Sequence, residues 1–117
     1  MTEEPWIWPD TLDALVAAPR HHTLLLEDEH LRVLDTRVGP GETVPLHTHR
    51  WPGVLVLLSW SDFVRRDQHG TVLLDSRAAG MDLDGQAVPS APLGPHTLEN
   101  TGTSELRAIA FEWKKRE

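Results

Sequence analysis

The chain contains no cysteine. That absence excludes a disulfide framework, a zinc ribbon and a thiol nucleophile, and it fits a reducing compartment. Basic residues are in the minority: 11 Lys and Arg stand against 18 Asp and Glu, for a formal net charge of −7. A surface of that sign repels phosphate backbones and anionic membranes, so neither nucleic acid nor membrane is expected as a partner. The short basic run Lys114-Lys115-Arg116 reads as a solvated tail. No apolar run approaches the roughly 20 residues of a membrane-spanning helix. The opening stretch MTEEPWIWPD is acidic and lacks the basic start of a secretion signal. A soluble, cytoplasmic protein is the expectation.

What is present fits one domain. A length of 117 residues can bury a core without covalent staples. Helical patterning is confined to Asp10 to Ala18, where Asp10 is placed to cap, Leu12, Leu15 and Val16 form an apolar stripe, and Pro19 stops the run. Beyond it, short apolar segments alternate with Gly, Pro, Asn and Asp. Strands are predicted near His22–Leu26, Leu31–Val38, Val44–His49, Val54–Ser61, Phe63–Arg66, Val72–Asp75, Gln86–Ser90, His96–Glu99 and Leu106–Trp113. Many short strands with tight turns mean an all-β sandwich or barrel. The layout is an N-terminal segment with a short helix over 1–20 and a β-barrel domain over 21–117. The stretch Arg77 to Gln86 has few apolar anchors and reads as a loop over one barrel end.

The segment VPLHTHRWPG, Val44 to Gly53, carries the first chemical signal. Residues two apart on a strand face the same side, so His47 and His49 project together. Two imidazoles on one face can share a divalent ion. Gly41 lies six positions before His47, and Gly39-Pro40-Gly41 supplies the turn into that strand. Later comes PLGPHTLEN, in which another Pro/Gly turn delivers His96 and, four positions on, Asn100.

Together these stretches resemble the two motifs of the cupins, G-x5-H-x-H-x3,4-E-x6-G followed by G-x5-P-x-G-x2-H-x3-N. The resemblance spans Leu31 to Trp113 and implies a small single-domain cupin, an RmlC-like jelly-roll β-barrel with a metal near its centre. Residue by residue it makes His47, His49 and His96 the metal ligands and Asn100 a structural position. The chain departs from the pattern in places. The motif Glu falls at Gly53 or Val54, neither of which can ligate through a side chain; Gly85 sits one residue too far before Pro92; only Pro95 separates Gly94 from His96. Without the Glu, three neutral imidazoles leave the full +2 charge of a divalent ion, which favours anionic or enolate-like ligands. Imidazole does not choose among Fe, Ni, Zn, Cu and Mn.

Other residues carry secondary expectations. His21, His22, His30 and His69 are read as surface residues. Trp51, Trp60, Phe63 and Phe111 are read as packing the barrel or a dimer contact, the alternative being the wall of a ligand pocket. Trp6 and Trp8 cover a core end or meet a second subunit. Arg65 and Arg66 are adjacent on a strand, so one faces in, where it can meet a substrate carboxylate. Glu112 alternates with the small residues Ala108 and Ala110 and is read as an exposed edge residue, the alternative being an inward acid or base. Glu99 differs in parity from His96 and is expected to point away from the site.

Three functions remain open from the sequence. One is an enzyme, a metal-dependent dioxygenase acting on a small anionic or enolisable substrate. Another is a small-molecule-binding cupin without turnover. The third is a metal-free structural barrel. No catalytic residue is assigned. A homodimer is expected because edge strands need cover.

Overall fold

A computed structural model describes residues 5–114. A single 3-10 turn, Asp10–Leu12, leads into a short helix α1, Ala14–Ala17. Nine strands follow: β1 His22–Glu27, β2 Leu31–Val38, β3 Thr43–His49, β4 Gly53–Ser59, β5 Phe63–Asp67, β6 Val72–Asp75, β7 Ala87–Ser90, β8 Leu93–Asn100 and β9 Leu106–Trp113. They form two antiparallel sheets, ordered β1-β2-β9-β4-β7 and β3-β8-β5-β6. Every predicted strand is present; the architecture is all-β, as the turn spacing implied, and it is the jelly roll that the cupin resemblance implied.

The helix is shorter than its apolar pattern predicts. Asp13 adopts extended backbone angles (φ −53°, ψ 142°), so the 3-10 turn and the helix are separate pieces. Asp13, not Asp10, is the cap: its carboxylate accepts from the Leu15 amide at 3.1 Å. The buried residues are Ala14 and Ala18, while Val16 is exposed. Small residues let the segment lie close on β3, where Asp13 bridges to Thr48. That contact buries Thr48 on the outer face of β3 and leaves His47 and His49 to point inward.

Strand β8 begins at Leu93, ahead of the predicted His96, and this explains one departure from the cupin motif. His47 pairs with His96, but His49 pairs with Leu93. Gly94 and Pro95 therefore oppose the single residue Thr48, which is a β-bulge. Proline has no ladder N–H to lose there. Gly41, at φ +78°, makes the left-handed turn into β3.

Asn100 closes the far end of β8. It is 1% exposed, donates from Nδ2 to the Val38 and Ser104 carbonyls, and accepts at Oδ1 from Ser61 Oγ and the Gly102 amide. These four bonds tie the end of β8 to the end of β2 and to the loops that precede β5 and β9, as expected of a structural position. The apolar core joins both sheets through Val38, Val44, Leu57, Phe63 and Leu106. The loop after β6 is fastened to β4 by the Gly85 amide to the Leu57 carbonyl and the Leu57 amide to the Gln86 carbonyl. Met81 and Leu83 anchor it over the barrel interior.

Candidate metal centre

Four imidazoles converge inside the barrel. His47 and His49 come from β3, His96 from β8 and His22 from the start of β1. Ring centroids of His47 lie 5.0 Å from those of His22 and His49 and 4.2 Å from that of His96. His22 and His49 are 5.3 Å apart, His49 and His96 5.7 Å. The set in which one ring nitrogen from each residue lies within 4.8 Å of the others is His22, His47 and His49. His96 stands beside that set.

His22 corrects a sequence expectation. It was read as a surface residue, yet it is 4% exposed. It pairs with Thr36, whose side faces the cavity, so its parity carries it inward. His21 is also buried rather than on the surface: its ring donates to the Arg37 carbonyl at 2.9 Å. His30 and His69 are exposed as expected. No motif spacing marks His22; only strand parity on β1 could have found it.

Each imidazole is held from behind through Nδ1. His22 bonds the Ala18 carbonyl at 3.0 Å, His47 the Pro45 carbonyl at 2.7 Å, and His96 the Gly94 carbonyl at 2.8 Å. His49 bonds Glu112 Oε2 at 3.0 Å. Carbonyls and carboxylates accept, so each Nδ1 carries a proton, and in a neutral ring this leaves Nε2 with its lone pair. Burial, followed by the neighbouring His49, pushes His22 down to about 4 and His47 to about 2. Burial likewise brings His96 to about 3. His22, His47 and His96 are therefore neutral at physiological pH.

Glu112 is the second correction. It was read as an exposed edge residue, but it is 3% exposed. Besides His49 it accepts from Arg32 Nε at 3.0 Å, and Arg32 in turn donates to both oxygens of Asp13, at 3.0 and 2.9 Å. A continuous chain Asp13–Arg32–Glu112–His49 thus runs from the N-terminal helix to the imidazoles. Register explains why the carboxylate sits on β9. Gly53, where the motif Glu would fall, pairs with Glu112. A Cβ at Gly53 would lie 1.7 Å from the Phe111 carbonyl oxygen. The strands approach too closely there for any side chain, and Glu112 enters from the adjacent strand instead.

A cavity of about 350 Å³ opens beside the imidazoles. Its walls are mostly apolar; Trp51, Trp60 and Phe63 contribute, as do Ala108 and Ala110, and Phe111 does not. Arg65 lines it, whereas Arg66 turns outward to Glu99 at 2.9 Å. Glu99 accordingly points away from the site. Trp8 packs on Gly94, and Trp6 lies in a shallower groove outside the barrel with Arg32 and Trp51. Lys114 pairs with Glu27 at 2.8 Å; Lys115 and Arg116 lie outside the described residues.

The jelly-roll topology finds its counterparts among solved structures. The fold is the cupin fold. A cupin domain from Bordetella pertussis Tohama I superposes with a TM-score of 0.61 at 18% identity, over 80% of this chain and 92% of that one. An uncharacterised protein with a double-stranded β-helix domain from Klebsiella pneumoniae gives 0.54 at 17% identity, over 77% and 68%. The polyketide cyclase RemF from Streptomyces resistomycificus gives 0.51 at 16% identity, over 81% and 65%. No protein-family model and no curated protein matches the chain. Among the described residues no helix is long and apolar enough to cross a membrane.

This donor set fits a transition metal. Neutral imidazoles with pinned Nδ1–H groups are what such an ion requires, since a ligating nitrogen must be unprotonated and its ring oriented from behind. A three-His group is in place to bind one.

Proposed function

We propose that this cupin is a metal-dependent enzyme whose imidazole cluster holds one divalent transition ion, with iron, nickel, zinc, copper or manganese all compatible with nitrogen donors. His47, His49 and His96 are the expected ligands, and His22 joins them as a further donor. The observation that carries this reading is the convergence of four imidazoles inside the barrel, each fixed through Nδ1 by a bond behind its ring.

The reaction class proposed is dioxygenation of a small anionic or enolisable compound. A bound ion supplies Lewis acidity and, if it is iron, redox chemistry. The chain's own part is to orient and to exclude water. Apolar walls strip solvent from the substrate, and the carboxylate of Glu112 holds the His49 ring in one tautomer.

Elemental analysis of protein purified without chelator tests the metal. About one equivalent is expected, falling at least tenfold in His47→Ala. Full retention in that variant would remove the cluster as the site. Oxygen uptake by iron-loaded protein with β-diketones, thiols and phenolic acids tests the chemistry; ligand binding without uptake would leave a binding protein.

A homodimer belongs to the same reading. β1 is an edge strand, and Leu24, Leu25 and Leu26 are all exposed on it, an apolar edge that a second copy would cover. Sedimentation equilibrium should give a dimer that Leu25→Lys weakens.

A further inference from the structure

The cavity contains one cation that the imidazole cluster does not employ. Arg65 lies opposite Leu98 of β8 and Leu74 of β6. His96 is opposite Asp67, so Arg65 and His96 are diagonal neighbours on one face, a spacing of about 7–8 Å between Cα atoms. The Nε of Arg65 is sealed from solvent and has no hydrogen-bond partner. Burial alone displaces its pKa, downward, with no carboxylate to oppose it. Its one compensation is the ring of Phe63, 5.7 Å from the guanidinium carbon.

Neighbouring arginines show what the sequence provides when pairing is the purpose. Arg66 has Glu99, Arg107 has Asp35, and Arg32 has Asp13 and Glu112. A half-buried guanidinium with its Nε sealed and no anion beside it is costly to keep unless an anion arrives.

We infer that Arg65 is the anion anchor of the cavity and receives the carboxylate of a small organic acid whose apolar body lies against Leu55, Leu57 and Leu74. The planar guanidinium matches a carboxylate edge to edge. The walls offer no second cation among the described residues, which favours a monoanion over a phosphate dianion. This rests on the proposed function only for what the ligand's other end meets: a donor there would reach the metal. Arg65 thereby sets which substrates enter, and it is a binding residue distinct from the ligands.

Calorimetric titration with benzoate, hexanoate and their neutral amides tests this, on protein stripped by chelator and on protein loaded with zinc. The wild type should bind at least one of the acids in both forms, and the matching amide about tenfold or more weakly. Arg65→Met should weaken the acid by about 10- to 100-fold, with Arg65→Lys between, because lysine keeps the charge and loses the fork. Failure of both acids to bind either form, equal affinity for acid and amide, or unchanged acid affinity in both variants overturns the inference. Acid binding confined to the zinc form and indifferent to Arg65→Met would overturn it while sparing the metal reading. Zinc that fails to bind, with Arg65-dependent acid binding in the stripped form, would uphold Arg65 and remove the metal.

Discussion

Arg32 and Arg65 stand on opposite sheets, and their surroundings are reversed. Arg32 is enclosed by two carboxylates, at 2.9 Å from Asp13 and 3.0 Å from Glu112. Burial pulls its pKa down, but those two partners outweigh it and raise the value. Arg65 has the burial without the partners. Behind the imidazoles, then, every charge is answered within the chain. In front of them, toward the cavity, charge and lone pairs are left open. A site that binds something from outside is expected to look finished on one side and unfinished on the other.

Acid should break this arrangement with the largest effect. His22, His47 and His96 have folded pKa values of about 4, 2 and 3, all below the ordinary value of 6.5. As pH falls below about 6.5 the unfolded chain takes up protons that the folded chain refuses, so their neutral burial costs nothing above that pH and destabilises below it. Each group removes about 1.4 kcal/mol per pH unit. Three together remove on the order of 10 kcal/mol by pH 4, comparable to the whole stability of a small domain. Urea unfolding in chelator at pH 7, 6 and 5 should show the midpoint dropping steeply below pH 6, and His47→Gln should flatten that slope. A flat midpoint would mean the imidazoles have acceptors on the cavity side.

The two arginines themselves give the next largest effect. Arg32→Met strands the carboxylates of Asp13 and Glu112 in the interior and should cost about 3–5 kcal/mol. Arg65→Met removes an unanswered charge and should change stability by less than about 1 kcal/mol, or raise it. Paired urea titrations measure both. Equal losses would erase the contrast and give Arg65 a structural role.

Much of this was legible in the sequence, and what was not has a common cause. Strand placement followed from short apolar runs and Gly/Pro turns. His47, His49 and His96 announced themselves because the cupin motifs set them at fixed intervals. His22 and Glu112 had no such interval. Each is in the interior because a partner strand sets its parity, His22 through Thr36 and Glu112 through Arg32. Pairing between strands distant in sequence is invisible to a linear reading. The helix was overdrawn for a related reason: Asp13 is taken by Arg32, 19 positions away, and that tertiary bond outweighs the local preference for a longer helix.

The smallest expected effect separates orientation from charge at the meeting point of the two regions. Glu112→Gln keeps an oxygen that can accept from His49 Nδ1 but removes the negative charge that His49 and Arg32 share. Arg32 retains both oxygens of Asp13, so the barrel should stay folded. Loss of a charged partner behind a metal-binding imidazole lowers its basicity and typically costs about 10- to 100-fold in metal affinity. Zinc affinity measured by competition with a chromophoric chelator should fall by about tenfold in Glu112→Gln, and further in Glu112→Ala, where the ring also loses its acceptor. A fall in Ala but none in Gln would assign Glu112 to orientation alone. No fall in either would mean that His49 needs nothing behind it, and that the chain from Asp13 to Glu112 exists only to fasten the N-terminal helix to the barrel.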